Sequence, residues 1–289
     1  MVKNYFKILT IILIPTLLAS CNVDWLGFVS PTSDTTNQRV AQSLAWNDQH
    51  DSTVIRVPVD SYRFYVGSDV HTEKTTQNLT QWICALRNDS AAYFGIVDGD
   101  CVNEKDAFHV FAPALRFDSL TQQRNDTIFT TIGNHDLYFE QWNDYRDYFH
   151  TATYWFAVRT PSQQDLFIIL DTGNGTLGTT QYDWLAALLA AKRNQYRHCI
   201  VATHTNLFKN DNSTFPTSEM SLEETYKITD LMQQYHIDLY LQGHDHNQEV
   251  LHYRDVTYII VPTMRDDSDN PRYFVGTCSD EVSYEFRKI

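Results

Sequence analysis

The chain has 289 residues, of which 43% are hydrophobic and 20% charged, and it carries a formal net charge of −14. That length and balance fit one large globular domain and leave no room for a coiled coil, a collagen or a long disordered protein. So large an acid excess argues against a nucleic-acid-binding protein, which needs a basic stripe for phosphates, and against adhesion to an anionic membrane by charge.

The first residues read as a targeting segment rather than as part of the fold. Lys3 and Lys7 precede an apolar run from Ile8 to Leu18, which ends in Leu18-Ala19-Ser20-Cys21. A membrane-spanning helix takes about 20 residues, so this run is too short to be one. Small residues before a cysteine resemble the lipobox of bacterial lipoproteins. By that resemblance residues 1–20 are a signal peptide and Cys21 carries the lipid. The protein is then exported to the bacterial cell envelope and held on a membrane through its N-terminal lipid. The alternative is a plain secretory signal with an incidental cysteine. Loss of residues 1–20 removes two lysines and no acid, taking the charge from −14 to −16. Residues 21–38 include Ser30, Pro31, Thr32, Ser33 and Asp34 and have little to bury, so they read as a tether to a body spanning 39–289. Cys84, Cys101, Cys199 and Cys278 contain no Cys-x-x-Cys, which speaks against a thiolate zinc site. Disulfide pairing and plain burial both remain open for them.

From Tyr62 a rhythm of short apolar strands begins, and polar strings follow five of them. Tyr62–Gly67 runs into Ser68-Asp69-Val70-His71, and Leu79, Ile83 and Leu86 then repeat at helical spacing. Tyr93–Val97 runs into Asp98-Gly99-Asp100, and Thr127–Ile132 into Gly133-Asn134-His135-Asp136. Tyr138, Phe139, Trp142, Tyr145, Tyr148 and Phe149 follow as an aromatic cluster suited to packing a helix on a sheet, or in part to lining a substrate mouth. Leu166–Leu170 precedes a helix over Thr180–Lys192, with Thr180 available as its N-cap. His198–Ala202 runs into Thr203-His204-Thr205-Asn206, and Ile228, Leu231 and Met232 mark another helix. Ile237–Leu241 runs into Gln242-Gly243-His244-Asp245-His246, and strands at Val256–Val261, Tyr273–Thr277 and Val282–Phe286 close the chain. Early strand–helix alternation predicts an α/β fold, and the final helix-free strands predict antiparallel pairing.

Five polar motifs just past strand ends lie where α/β sheets assemble ligand crevices. Imidazoles, carboxylates and one amide carbonyl suit divalent ions such as Mn, Fe or Zn. Side chains two apart on an extended segment point the same way, so Asp69 with His71, and His244 with His246, can each reach one cluster. Gly99, Gly133 and Gly243 offer sharp turns at the strand exits. Any one of these motifs alone is commonly a surface turn or a core histidine; five in this setting point to metal ligation.

The order Asp-x-His, Gly-Asp, Gly-Asn-His-Asp, His and Gly-His-x-His resembles the calcineurin-like metallophosphoesterases over Asp69 to His246. The resemblance implies a four-layer sandwich of two mixed β-sheets flanked by helices, α/β (α+β) in class. It implies two divalent metal ions. Asp69, His71, Asp100 and His246 would hold one, and Asp100 would bridge to the second, completed by Asn134, His204 and His244. His135 would be the catalytic residue free of metal, oriented by Asp136. Two divalent ions, two carboxylates and a bridging hydroxide would leave about +1 of charge for a phosphate anion. The reaction so implied is hydrolysis of a small phosphorylated substrate by attack of the metal-bridging hydroxide, with His135 stabilising the transition state or protonating the leaving oxygen. Cyclic-nucleotide or other phosphodiesterase activity is an alternative, as is an inactive binding protein on the same fold. Asn103 stands where purple acid phosphatases carry a metal-binding tyrosine, so a tyrosinate-coloured ferric site is not expected. Arg265 and Arg272 are candidates for phosphate contact or for solvated loop charges.

Overall fold

The computed structural model describes residues 35–115, 127–208 and 220–289. The signal segment, Cys21 and the tether as far as Asp34 lie outside the described residues. Helix α1, Thr36–Asn47, starts earlier than the tether reading allows, because Thr35 and Gln38 form a capping box. The Gln38 amide N–H donates to Thr35 Oγ1 and the Thr35 N–H to Gln38 Oε1. Residues 36–38 are therefore the first turn of a helix.

Among the described residues, twelve strands form two mixed sheets. The smaller contains β2 (Tyr62–Gly67), β3 (Ala92–Asp98), β4 (Thr127–Thr131), β11 (Arg272–Cys278) and β12 (Val282–Lys288), in the order β12-β11-β2-β3-β4. The larger contains β1 (Val54–Arg56), β5 (Tyr154–Arg159), β6 (Gln164–Ile169), β7 (Cys199–Ala202), β8 (Leu239–Gln242), β9 (Glu249–Tyr253) and β10 (Val256–Ile260), in the order β1-β5-β6-β7-β8-β10-β9. The strands that precede the five motifs, β2, β3 and β4 in one sheet and β7 and β8 in the other, run parallel within their sheets. The helix-free C-terminal strands β11 and β12 pair antiparallel, as expected.

Period-2 alternation builds the layers. Phe64 and Val66 of β2, Phe94 and Ile96 of β3, and Phe167 and Ile169 of β6 meet between the sheets. There Phe129 and Phe156 stack at 3.8 Å, and Phe94 meets Phe167 edge-on at 5.0 Å. The opposite face of the small sheet packs against α2 (Gln77–Asn88), α3 (Phe108–Leu115) and α4 (Trp142–Phe149). The opposite face of the large sheet packs against α5 (Gly178–Lys192) and α6 (Leu222–Gln234). The result is the expected helix–sheet–sheet–helix sandwich. Cys84, Cys101, Cys199 and Cys278 are all free thiols, Cys84 exposed and the other three buried, so burial rather than pairing accounts for those three.

Two helix starts depend on distant side chains that local spacing cannot reveal. Thr180 is not the N-cap of α5, which begins at Gly178; instead the Thr180 N–H donates to Asn37 Oδ1 of α1 at 3.1 Å. Asp266, from the loop after β10, accepts the N–H groups of Gln77 and Asn78 at the start of α2.

Helix α1 is fastened by Arg39, whose Nε and Nη2 donate to the two oxygens of Asp171 at 2.8 and 2.9 Å, with both residues buried. Arg39→Met leaves the Asp171 carboxylate buried without its bidentate partner. The expected loss is about 3–5 kcal/mol of stability, read as a drop in melting temperature of about 10 °C by calorimetry. Adding Asp171→Leu should recover much of that loss. A double variant no more stable than the single one would show that the ion pair is not the source.

Candidate metal centre

Each motif leaves its strand through a tightly laced loop. The Asp69 N–H donates to Gly99 O and the His71 N–H to Asp100 O, joining the first two motifs. The Gly243 N–H donates to His204 O, and the Met264 N–H to Ser68 O, which brings in the fourth, the fifth and the loop after β10. Within this lacing Asp69, His71, Asp100, His244 and His246 have φ of 52, 48, 47, 73 and 61°. Left-handed backbone is disfavoured for residues with a Cβ and persists only where surrounding structure over-determines it. The two-apart pairs therefore converge through left-handed turns, not through the extended backbone that the sequence suggests. Of the three glycines, only Gly99 has positive φ. Gly133 and Gly243 serve close approach instead: a Cβ there would overlap the carboxylate of Asp100 or the Ser68–Asp69 side chains.

The side chains so delivered form two groups of potential ligands, Asp69, His71, Asp100 and His246 in one and Asp100, His204 and His244 in the other, with Asp100 common to both. In the first, His71 Nε2 lies 3.1 Å from His246 Nε2 and 3.5 Å from Asp100 Oδ2, and His246 Nε2 lies 3.3 Å from Asp69 Oδ1. In the second, His204 Nε2 lies 3.4 Å from Asp100 Oδ2. His204 is held by its other nitrogen, Nδ1, which donates to Asp98 O at 2.9 Å and leaves Nε2 facing inward. Two further buried atoms, Asn134 Oδ1 and His244 Nε2, have no hydrogen-bond partner among the described residues. Buried polar atoms are normally satisfied, so these atoms fit a site that binds cations.

Electrostatics agrees. Burial opposes ionisation of Asp69 and Asp100, but the facing imidazoles outweigh it and hold both carboxyls below the usual range. Burial lowers His71 to about 4 and lowers His244 as well, keeping their lone pairs free. Burial would lower His204 too, yet Asp100 and Asp69 push it up to about 10. The site calls for positive charge where those carboxylates meet.

The structure corrects one sequence-based role. Asp136 does not touch the His135 ring: its carboxylate accepts the N–H groups of Gly133 and Val102 at 2.8 and 3.0 Å, tying the second motif to the third. Burial and then the charge of Asp100 raise its pKa, against those two hydrogen bonds. His135 is placed by other means. Its N–H donates to Asp100 Oδ1 at 2.9 Å, and its ring stands edge-on to His71 at 4.5 Å and beside Tyr138 at 4.6 Å. Burial lowers its imidazole pKa, with Asp100 opposing.

The aromatic cluster divides: Trp142 and Tyr145 are buried in the core, while the Tyr138 hydroxyl accepts from Asn134 Nδ2 at 3.0 Å. Arg265 is engaged by Asp267 and Arg272 by Gln248. Asn103 donates to Glu73 and contributes no phenolate.

Sequence reading overlooked Asp171-Thr172. Thr172 Oγ1 accepts the N–H groups of His204 and Thr205 at 3.0 and 2.9 Å, so the residue beside the Arg39 partner positions a candidate ligand. The available signal was the same as for the other motifs, a polar string directly after a buried strand.

The sequence profile of calcineurin-like phosphoesterases matches residues 62–248. The chain belongs to that family. No curated protein matches it in sequence. Among solved structures, this calcineurin-like phosphoesterase resembles a dimetal phosphatase from Danio rerio, at 11% identity and a TM-score of 0.59, over 80% of this chain and 97% of that one. It also resembles GAP50, the anchor in the inner membrane complex of Plasmodium, at 16% identity and a TM-score of 0.59, over 79% and 84% of the two chains. A purple acid phosphatase from yellow lupin matches at 14% identity and a TM-score of 0.60, over 80% of this chain and 52% of the longer one. At such identities the likeness bears on fold.

Proposed function

We propose that the protein is a dinuclear-metal phosphoesterase acting on a small phosphate ester, lipid-anchored and exported in a bacterial cell envelope. The observation that carries the catalytic part is the pair of convergent ligand groups sharing Asp100, with Asn134 Oδ1 and His244 Nε2 buried and unpartnered beside them. Asp69, His71, Asp100 and His246 would hold one ion, and Asp100, Asn134, His204 and His244 the other. Such ions supply Lewis acidity toward phosphoryl oxygens and lower the pKa of water. Around them the protein's own groups do the remaining work. Asp69 and Asp100 concentrate negative charge in a buried setting. The Asp98 carbonyl fixes the His204 tautomer. His135, outside both ligand groups, would donate a proton to the leaving oxygen or a hydrogen bond to the phosphoryl group.

The experiment is elemental analysis of the purified protein together with hydrolysis of an aryl phosphate and of the corresponding diester. Two ions per chain and chelator-sensitive turnover of either ester support the proposal. A metal-loaded protein that hydrolyses neither ester would instead be a binding protein on this fold.

The anchoring part rests on the sequence from Lys3 to Cys21. No helix among the described residues is long and apolar enough to cross a membrane. Cys21→Ser is expected to move the protein from the membrane fraction to the soluble fraction and to abolish labelling by a fatty-acid probe. Persisting label on the variant rules the lipobox out.

A further inference from the structure

We infer that Tyr138 and Phe139 form a leaving-group subsite that favours phosphate esters of planar aromatic alcohols, an inference that rests on the phosphoesterase reading. The segment after His135 is shaped against its own backbone preference. Inside the 3-10 helix His135–Glu140, Tyr138 turns extended at ψ 151°, and Phe139 and Glu140 follow at φ 56° and 63°. Two successive residues with side chains in the left-handed region, one of them aromatic, need a reason. Their effect is to lift Phe139 out of the fold, where it is 57% exposed, although Trp142 and Tyr145 a few residues on are fully buried.

The rings form a path. His71 to His135 is 4.5 Å between centroids, His135 to Tyr138 is 4.6 Å, and Tyr138 to Phe139 is 6.5 Å at 83°. The path starts at a potential metal ligand, passes the proposed proton donor His135 and ends at solvent. With the phosphoryl group over the ligand cluster, the alcohol portion of an ester leaves along this line. The near-perpendicular Tyr138 and Phe139 rings form a corner that a flat ring fills by stacking on one and meeting the edge of the other. The Tyr138 ring is fixed in that corner because its hydroxyl accepts from Asn134 Nδ2.

The test compares two phosphonates that share a headgroup and differ in the attached group, naphthylmethyl or butyl, binding to the metal-loaded full-length protein by calorimetry. The wild type should favour the naphthylmethyl compound by about fivefold, as an aromatic pair contributes. Phe139→Ala should bring the ratio close to one, Phe139→Trp should keep it, and Phe139→Leu, apolar but not planar, should not restore it. A ratio unchanged in Phe139→Ala, a ratio fully restored by leucine, or binding of neither compound overturns the subsite. Turnover of the matching phosphates is measured in parallel. Its absence in the wild type would defeat the phosphoesterase reading, while the binding ratio still decides the subsite.

Discussion

Asp100→Asn is expected to yield a folded protein that has lost both metal ions and all measurable phosphoesterase turnover. Asp100 is the one side chain common to the two ligand groups, and it is one of only two carboxylates in them. Its Oδ2 faces His71 at 3.5 Å and His204 at 3.4 Å, while Oδ1 accepts the His135 N–H at 2.9 Å. Asparagine can keep an acceptor for that N–H and the close fit of Gly133, so the change isolates charge from shape. Without it the second group would consist only of neutral donors, Asn134, His204 and His244, which hold a divalent ion weakly. Elemental analysis should find fewer than one ion per chain, and far-UV circular dichroism should match the wild type. Two ions per chain in this variant would refute the shared-ligand assignment.

His135→Ala should do the reverse, sparing metal and sacrificing rate. The residue belongs to neither ligand group, so metal content should stay at the wild-type value. The expected fall in kcat is about 100- to 10,000-fold, the range for a lost general acid. That loss should shrink for leaving groups of low pKa, such as nitrophenol, and be largest for alkyl esters, whose alkoxide needs a proton to depart. An equal loss for every leaving group would make His135 a stabiliser of the phosphoryl oxygens instead, and a loss of metal would make it a ligand. Asp136→Asn separates from both, because it turns part of an acceptor for the Gly133 and Val102 N–H groups into a donor. It should loosen the loops that carry Asp100 and Asn134 and thus weaken metal retention rather than proton transfer.

The candidate site was legible in the sequence because its residues sit at strand ends, where polar types are conspicuous against buried apolar runs. Strand-end placement points to the five motifs, whose carrying strands match to within a residue or two at either end, while the individual seven ligands are what the family resemblance implies. What could not be read depends on contacts distant in sequence. The role of Asp136 turns on which N–H groups reach it, and spacing says nothing of that. Helix α1 was overlooked because its anchoring residue, Arg39, finds Asp171 only 132 positions later. Strands β1 and β9 give no clear signal because they are mostly exposed edge strands, each with a single side chain, Ile55 or Val250, against the inter-sheet core. Strand β5 is apolar on both faces at its centre and flanked by aromatics, which blurs its alternation. Period-2 spacing at Asp69 and His71 matches extended chain, while the left-handed turns observed there reach the same end by a different path.

The layer of rings between the sheets has a consequence beyond cohesion. Each ligand group draws on both sheets: Asp69, His71 and Asp100 leave the small one, and His204, His244 and His246 leave the large one. The Phe64, Phe94, Phe129, Phe156 and Phe167 stack that separates the sheets therefore acts as the spacer of a caliper, whose jaws are the ligand loops. Trimming one of those rings would let the jaws drift by fractions of an ångström, far from any ligand, in an interior packed too densely to absorb the change silently. Ion affinity would then gauge the width of the hydrophobic core.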